Sequence, residues 1–296
     1  GSEMCIRDSL RKRWCSSDMI QDIWPKHLDN QYKNLKPGNE DTVFYFQGSS
    51  LLARPSGHFN SQNPEENVLI YPQYDEFVQG IKSSYGDKAV DNFEFIYLLS
   101  IDEEHFFLAR KTGSLERGTF LGEMADSAVH KDMYSFVRGY EFIGVDSFRK
   151  AQPREHAYAA ITAFHLYGWY RDNHFCGRCG KPLKHDDKQR MLRCDCCKNM
   201  VFPKICPAVI VAVTDKDRIL LTKYAGRTYR NYALIAGFTE IGETTEETVS
   251  REVMEEVGVK VKNITYYKSQ PWGLSGSQLL GYFCELDGCL LYTSDA

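Results

Sequence analysis

No stretch of the 296-residue sequence is apolar for as long as a membrane-spanning helix requires, and the N-terminus has no secretory apolar region. The chain also has no excess of positive charge, because its formal net charge is -4. A net negative charge argues against electrostatic binding of nucleic acid by the chain as a whole. A local basic patch is compatible with that charge. We therefore predict a cytoplasmic location and no membrane partner.

A length of 296 residues and a mass of 34.1 kDa leave room for a sizeable core and for two domains. Hydrophobic residues make up 43% of the chain and charged residues 26%, as in ordinary globular proteins. Ten cysteines would suggest disulfides in a small secreted chain, but five of them lie between Cys176 and Cys197. Such clustering indicates a metal site instead.

The clustered cysteines form two pairs, Cys176 with Cys179 and Cys194 with Cys197, separated by fourteen residues. Four thiolates suit the tetrahedral preference of zinc, and a closed set of four protein ligands is typical of a structural site. A second register through Cys196 is a minor alternative. The pattern is that of a zinc ribbon. Its zinc either stabilises a module too small to have its own core, or the ribbon contacts nucleic acid. We favour the structural role, because nearby acidic residues offset its lysines and arginines.

An acidic segment covers residues 237–259, with the sequence GFTEIGETTEETVSREVMEEVGV. Thr244 and Glu247 form a capping-box pattern and Gly258 is a plausible helix end, so the pattern predicts a helix over residues 245–257. On that helix, Glu252 lies three and four positions before two further glutamates, which places three carboxylates on neighbouring surface. They either form a solvated face or bind a hard divalent cation such as Mg²⁺.

The order of residues in this segment resembles the signature sequence of the Nudix hydrolases. The resemblance implies an α/β/α sandwich with a mixed sheet, and hydrolysis of a nucleoside diphosphate linked to a second group. It also implies that Glu252, Glu255 and Glu256 bind catalytic Mg²⁺ or Mn²⁺, with Glu256 activating water. Arg251 and Glu243 resemble the pair that connects the loop to the helix.

The zinc ribbon before this segment and the sequence Ser-Gln-Pro-Trp at residues 269–272 resemble the NADH pyrophosphatase subfamily. That resemblance implies hydrolysis of NADH or NAD to nicotinamide mononucleotide and AMP, removal of NAD caps from RNA, and a homodimer. Phe238 and Trp272 are aromatic surfaces suited to stacking on a base or nicotinamide, and Gln270 can hydrogen-bond an amide. Phe202 resembles an aromatic residue that reaches the nicotinamide across the dimer interface. For each aromatic the alternative is a core position.

The sequence departs from the subfamily in two places. The residues after Trp272 are Gly273, Leu274 and Ser275, where the subfamily has Pro-Phe-Pro. The side of the substrate site next to Trp272 is therefore expected to differ in shape from that of the subfamily. A further metal-binding glutamate and a closing helix would lie beyond the end of the chain, and Glu285 is not assigned to replace that ligand. We therefore expect residues 1–296 to be less active than a longer chain.

Two other functions share these features. A Nudix hydrolase for ADP-ribose or another dinucleotide would use the same carboxylates, so only its products would differ. A zinc-ribbon module that senses a nucleotide without hydrolysing it belongs to another class. The presence of all three glutamates of the signature argues against that second function.

The predicted organisation has four parts. Residues 10–150 form an accessory α+β domain, residues 151–173 a connecting helix, residues 174–203 the zinc ribbon and residues 204–288 the Nudix domain, incomplete at its C-terminus. Residues 1–9 and 289–296 resemble peptides translated from sequencing-adapter DNA, and we leave them out of the fold prediction.

Overall fold

The computed structural model describes residues 19–57, 68–112, 136–223 and 232–288. The terminal segments that resemble adapter-derived peptides lie outside these ranges. The chain divides into two compact units, Gly1–Pro203 and Lys204–Ala296. Among the described residues, no helix is both long and apolar enough to cross a membrane.

The N-terminal part of the first unit contains two small sheets and one helix. Its elements are β1 (Leu28–Asp29), β2 (Thr42–Phe44), β3 (Phe46–Gln47), β4 (Ser50–Pro55), β5 (Leu69–Ile70), α1 (Tyr74–Tyr85), β6 (Phe93–Ile101), β7 (Glu104–Lys111) and β8 (Glu141–Gly144). One sheet has the order β1-β6-β7-β2; in the other, β4 pairs with β3, β5 and β8. The strand pattern predicts β6 and β7 as a hairpin, and their antiparallel register confirms it.

Residues 42–47 look like one strand in the sequence but form two. β2 pairs with β7 in one sheet, whereas β3 pairs with β4 in the other. Tyr45 lies at the break, and its ring contacts four phenylalanine rings at centroid distances of 5.5 to 6.0 Å. The prediction of a single strand is therefore wrong, because the chain passes from one sheet to the other at Tyr45, whose half-buried ring packs among these phenylalanines.

A long helix leads from this part into the ribbon. Apolar residues at helical spacing predict a helix over residues 154–170, and α2 (Arg154–Asp172) confirms it. Its alanines pack into the core, and its Tyr167 ring stacks on Phe46 at 5.0 Å. The ribbon follows as a three-stranded sheet of order β11-β10-β9, formed by β9 (Leu183–His185), β10 (Leu192–Cys194) and β11 (Met200–Val201).

The second unit is built on one mixed sheet with a helix against one face. Its elements are β12 (Cys206–Asp215), β13 (Arg218–Ile219), β14 (Ile235–Phe238), α3 (Thr245–Val257), β15 (Lys260–Trp272) and β16 (Ser277–Asp287). β12 runs parallel to β16, and the other pairings are antiparallel. This mixed sheet confirms the predicted fold class. The strand predicted at residues 218–223 is shorter than expected, since only β13 pairs regularly with β12.

The core of this unit lies between the sheet and α3. Its buried members are Val209, Val211, Val213, Ile235, Val249, Val253, Tyr282 and Cys284. Because side chains alternate along a strand, residues one position away on β12, β14 and β16 lie on the opposite face. Within residues 204–223 and 232–288, α3 is the single α-helix, so that opposite face has no helix against it there.

The ends of α3 are determined locally. The Thr244 hydroxyl accepts a hydrogen bond from the Glu247 N–H at 3.2 Å, and the Glu247 carboxylate accepts one from the Thr244 N–H at 2.8 Å. This reciprocal pair satisfies two N–H groups at the helix start. Gly258 ends the helix in the left-handed conformation, with φ of 70°. The predicted helix over residues 245–257 is confirmed.

Candidate active site

Arg251 connects the helix α3 to the loop that precedes it. Its guanidinium donates two hydrogen bonds to the Glu243 carboxylate, at 2.6 and 2.9 Å, and a third to the Phe238 carbonyl at 2.8 Å. The same carboxylate accepts from the Glu240 N–H at 3.1 Å and the Thr248 hydroxyl at 3.0 Å. Arg251, followed by the Glu240 N–H, lowers the pKa of Glu243 to about 2, so this carboxylate is ionised near neutral pH.

The remaining nitrogen of Arg251 points toward the predicted metal ligands. It donates to Glu252 at 2.7 Å and to Glu255 at 3.2 Å. Hydrogen bonds to Glu243 and then to Glu252 raise the pKa of Arg251 above its usual value, which keeps it a cation. One guanidinium therefore partly neutralises three carboxylates of the acidic segment.

The Glu252 carboxylate lies directly against the backbone of Gly237. A Cβ at position 237 would be 1.9 Å from Cδ of Glu252 and 2.1 Å from each carboxylate oxygen. No real side chain fits at that distance, so glycine is required by this close approach. The sequence contains the glycine, but the reason for it depends on a residue fifteen positions away.

Replacing Gly237 with alanine should move the Glu252 carboxylate and lower kcat/KM for pyrophosphate hydrolysis about 100-fold, since small displacements in an active site can cost that much. The second unit should still fold, because the new methyl group meets the end of a flexible side chain. The measurements are hydrolysis at several Mg²⁺ concentrations and circular dichroism. Gly168→Ala on α2, where a Cβ meets nothing within 4 Å, is the control. Full activity of Gly237→Ala would show that the position of Glu252 is unimportant.

Glu256 lies on α3 near the same part of β14. The residue is exposed as a whole, but partial burial of its carboxylate raises its pKa. The charge of Glu252 adds to that effect, whereas a hydrogen bond with the Ala236 backbone opposes it. A carboxylate with a raised pKa accepts a proton more readily than an ordinary surface glutamate, which suits a general base.

The three predicted metal ligands offer the oxygen donors that Mg²⁺ and Mn²⁺ prefer. Glu252 is held against Gly237, whereas the Glu255 side chain is 59% exposed and bound to Arg251. These carboxylates are not close enough together to form a ready-made cluster among the described residues. The oxygen donors of the three glutamates nevertheless suit a hard divalent ion, which would require the Glu255 and Glu256 carboxylates to move toward Glu252.

The four ribbon cysteines are close to one another in the first unit. Their sulfur atoms all lie within 4.8 Å, with Cys176 to Cys197 at 3.5 Å and Cys179 to Cys194 at 3.4 Å. A tetrahedral site with Zn–S bonds of 2.3 Å has sulfurs about 3.8 Å apart, so the cluster fits zinc. Cys196 is exposed and outside the cluster, so the geometry favours the first register.

The four thiols differ in how readily they ionise. Burial opposes ionisation of Cys176, but hydrogen bonds from the N–H groups of Arg178 and Cys179 and from neighbouring thiols outweigh it and lower the pKa of Cys176 to about 6. The pKa of Cys194 is also lowered by the backbone N–H of Cys197, whereas hydrogen bonds among the thiols and burial raise the pKa of Cys179 and Cys197. A thiolate is the form that binds a metal, so Cys176 and Cys194 are the thiols that their surroundings favour as ligands.

Three of the four predicted substrate residues lie on the sheet face opposite α3. Phe238 pairs with Ala208, one position from the core residue Val209, and Phe238 is 54% exposed. Gln270 and Trp272 pair with Leu279 and Ser277, which alternate with the core-facing residues of β16. Phe202 belongs to the first unit and is 52% exposed. The alternative of a core position is therefore wrong for Phe238 and Phe202.

Two residues near the site were not identified from the sequence. The Thr248 hydroxyl donates to Glu243, and the Tyr282 hydroxyl lies 2.5 Å from the Thr245 hydroxyl, which connects β16 to the first turn of α3. Nothing in a single sequence distinguishes these hydroxyl groups from others. Glu285 accepts a hydrogen bond from Asn263 at 2.9 Å, which accounts for its position without a metal role.

Residues 204–290 match the family model described as the NUDIX domain. The chain is 40% identical over 122 residues to the NAD-capped RNA hydrolase NudC of Salmonella typhi, covering 41% of this chain and 48% of that protein. The protein of the same name from Salmonella heidelberg matches equally well. The chain thus spans about half the length of the curated relatives it matches. A NUDIX hydrolase crystal structure from Nitrosomonas europaea is similar at 22% identity, with a TM-score of 0.32, covering 39% of this chain and 68% of that one.

Proposed function

We propose that this chain, whose second unit is a Nudix domain, hydrolyses the pyrophosphate bond of NADH or NAD, giving nicotinamide mononucleotide and AMP. We extend the proposal to the removal of NAD caps from RNA 5′ ends. The observation that carries the proposal is the arrangement of Gly237, Glu252 and Arg251, in a chain that is 40% identical over 122 residues to proteins named NAD-capped RNA hydrolase.

In the proposed reaction, Glu252, Glu255 and Glu256 would hold Mg²⁺ or Mn²⁺. When bound, such ions polarise phosphoryl oxygens and lower the pKa of coordinated water. Glu256 accepts a proton from the attacking water, whose oxygen forms a bond to one phosphorus. The bond from that phosphorus to the bridging oxygen breaks, and the bridging oxygen leaves on the other phosphate. Arg251 and Glu243 keep the loop and helix aligned during this exchange.

The remaining substrate contacts belong to the same proposal. Phe238 and Trp272 would stack on the adenine or nicotinamide, and Gln270 would hydrogen-bond the carboxamide, since all three share one sheet face. Phe202 would reach a substrate bound by a second copy of the chain, which makes a homodimer part of the proposal. Clustered free thiols function in a reducing compartment, which supports placing the activity in the cytoplasm.

The test is hydrolysis of NADH, NAD, ADP-ribose and NAD-capped RNA in parallel, with Mg²⁺, with Mn²⁺ and without divalent ions. We expect metal-dependent formation of nicotinamide mononucleotide and AMP, and release of 5′-monophosphate RNA from the capped substrate. Preferential turnover of ADP-ribose would favour the other Nudix activity. Binding of NADH without turnover under every metal condition would favour a nucleotide sensor.

A further inference from the structure

The hairpin between the two cysteine pairs of the ribbon contacts distant parts of the first unit. We call residues 183–194, which comprise β9, β10 and their turn, the ribbon hairpin. Arg190 in this turn donates hydrogen bonds to the carbonyl groups of Leu98 on β6 and Asn30, the latter at 3.2 Å. Its guanidinium also lies over the Tyr32 ring, 5.8 Å from the centroid. One cation therefore joins two separate places in the N-terminal part, β6 and residues 30–32.

Arg190 is an unusual cation because its partners are neutral. Burial lowers its pKa, and one of its terminal nitrogens has no hydrogen-bond partner among the described residues. A guanidinium removed from water is costly unless its hydrogen bonds are made. The contacts to Leu98 and Asn30 must therefore be maintained together, and losing them would return the side chain to solvent.

His185 provides a second connection from the same hairpin. Its Nε2 lies 2.6 Å from the Tyr170 hydroxyl on α2, and its Nδ1 lies 2.9 Å from the Asp186 carbonyl and 3.2 Å from the Tyr32 hydroxyl. Burial lowers the pKa of His185, which favours the neutral ring. A neutral ring that donates from Nδ1 to Asp186 can accept from Tyr170 at Nε2.

The turn that presents Arg190 is ordered by its own side chains. The Asp186 carboxylate accepts hydrogen bonds from the N–H groups of Lys188 and Gln189 at 2.9 and 3.0 Å. Asn34 adds a longer contact to Asp187 at 3.4 Å. The ribbon hairpin is therefore a preformed surface that fits the segment after β1.

The same hairpin leads directly to the metal site. His185 pairs with Leu192, and Cys194 at the end of β10 is one of the four clustered cysteines. The strands are only three residues long, and an isolated hairpin is marginal in water. Metal binding commonly supplies the folding free energy of such small modules. Loss of the metal ion should therefore destabilise the hairpin that presents Arg190 and His185.

We infer that the ribbon hairpin is a metal-dependent latch, which holds residues 28–34 against β6 and α2 while the four thiolates bind an ion. Removal of the ion releases both the hairpin and residues 28–34. The inference concerns the first unit alone and does not depend on the proposed hydrolysis. Arg190 and His185 are positioning residues, because their contacts hold residues 28–34 in place.

Hydrogen exchange followed by mass spectrometry tests the latch on the whole chain, loaded with Zn²⁺ and then stripped of it. Stripping should raise exchange at least tenfold in the ribbon and in residues 28–34, while the core of the second unit stays unchanged. Faster exchange in the ribbon with unchanged residues 28–34 would overturn the inference, because the metal would then stabilise only its own module.

The variant Arg190→Met removes the hydrogen bonds to Leu98 and Asn30 and leaves the four cysteines unchanged. With Zn²⁺ still bound at one ion per chain, this variant should raise exchange at residues 28–34 about tenfold. Lys188→Met changes an exposed residue of the same turn and should have no effect, and Arg190→Lys should fall between because it lacks the planar fork. Wild-type exchange in zinc-loaded Arg190→Met would refute the role of Arg190. Circular dichroism and zinc content show whether each variant remains folded.

Discussion

Glu256→Gln should lower kcat for NADH hydrolysis by about 10²- to 10⁴-fold, the range that general base catalysis supplies. Glutamine keeps the size of the side chain but cannot accept a proton from water, and it replaces a charged group that we propose as a metal ligand with a neutral amide. Circular dichroism should be unchanged, because Glu256 is exposed on α3. The measurement is steady-state hydrolysis across a range of Mg²⁺ concentrations, which separates loss of metal affinity from loss of the base.

The matched control is Glu246→Gln on the first turn of the same helix, which should leave activity within about twofold of wild type, since exposed substitutions rarely alter a site. The pH profile adds a second readout. Because burial raises the pKa of Glu256, activity should fall on the acidic side at a higher pH than for an ordinary glutamate. Full turnover by Glu256→Gln would assign the base to another residue.

Cys194→Ser should abolish zinc binding and strongly destabilise the first unit. Zinc is a borderline-soft ion for which a serine hydroxyl is a poor ligand. Without Cys194 only three thiolates remain, so the tetrahedral site lacks its fourth ligand. Structural zinc binds zinc-finger peptides with apparent free energies of about 10 to 16 kcal/mol, comparable to the whole stability of a domain. The measurements are metal content of the purified protein and thermal unfolding, where the transition of the first unit should move to lower temperature.

Cys196→Ser is the control for that experiment. Cys196 is an exposed thiol two positions after Cys194 and outside the four-sulfur cluster. The variant should keep one zinc per chain and the wild-type unfolding temperature. If Cys196→Ser lost zinc while Cys197→Ser retained it, the second register would be correct and the observed cluster would not represent the metal-bound form.

Features controlled by neighbouring residues could be predicted from the sequence. The bounds of α3 follow from Thr244, Glu247 and Gly258, which act within one turn of the helix ends. The cysteine spacing likewise predicts a four-thiol cluster, because each pair lies in one tight turn. The apolar runs at residues 208–213 and 279–286 predict two strands, and β12 and β16 extend beyond these runs at both ends.

Features controlled by distant residues could not be predicted. The break at Tyr45 depends on rings from four other segments. The partners of Arg190 lie 92 and 160 positions away, so its sequence neighbourhood gives no sign of its burial. The aromatic substrate residues were selected by resemblance, and only the strand registers show that Phe238 and Trp272 share a face.

The position of Arg251 has a consequence for folding. Because its guanidinium binds Glu243, Glu252 and Glu255, these three carboxylates have a counter-ion that belongs to the chain itself. Their mutual repulsion is therefore offset without a divalent ion. We expect the second unit to fold in the absence of metal, whereas the ribbon should need its ion in order to fold.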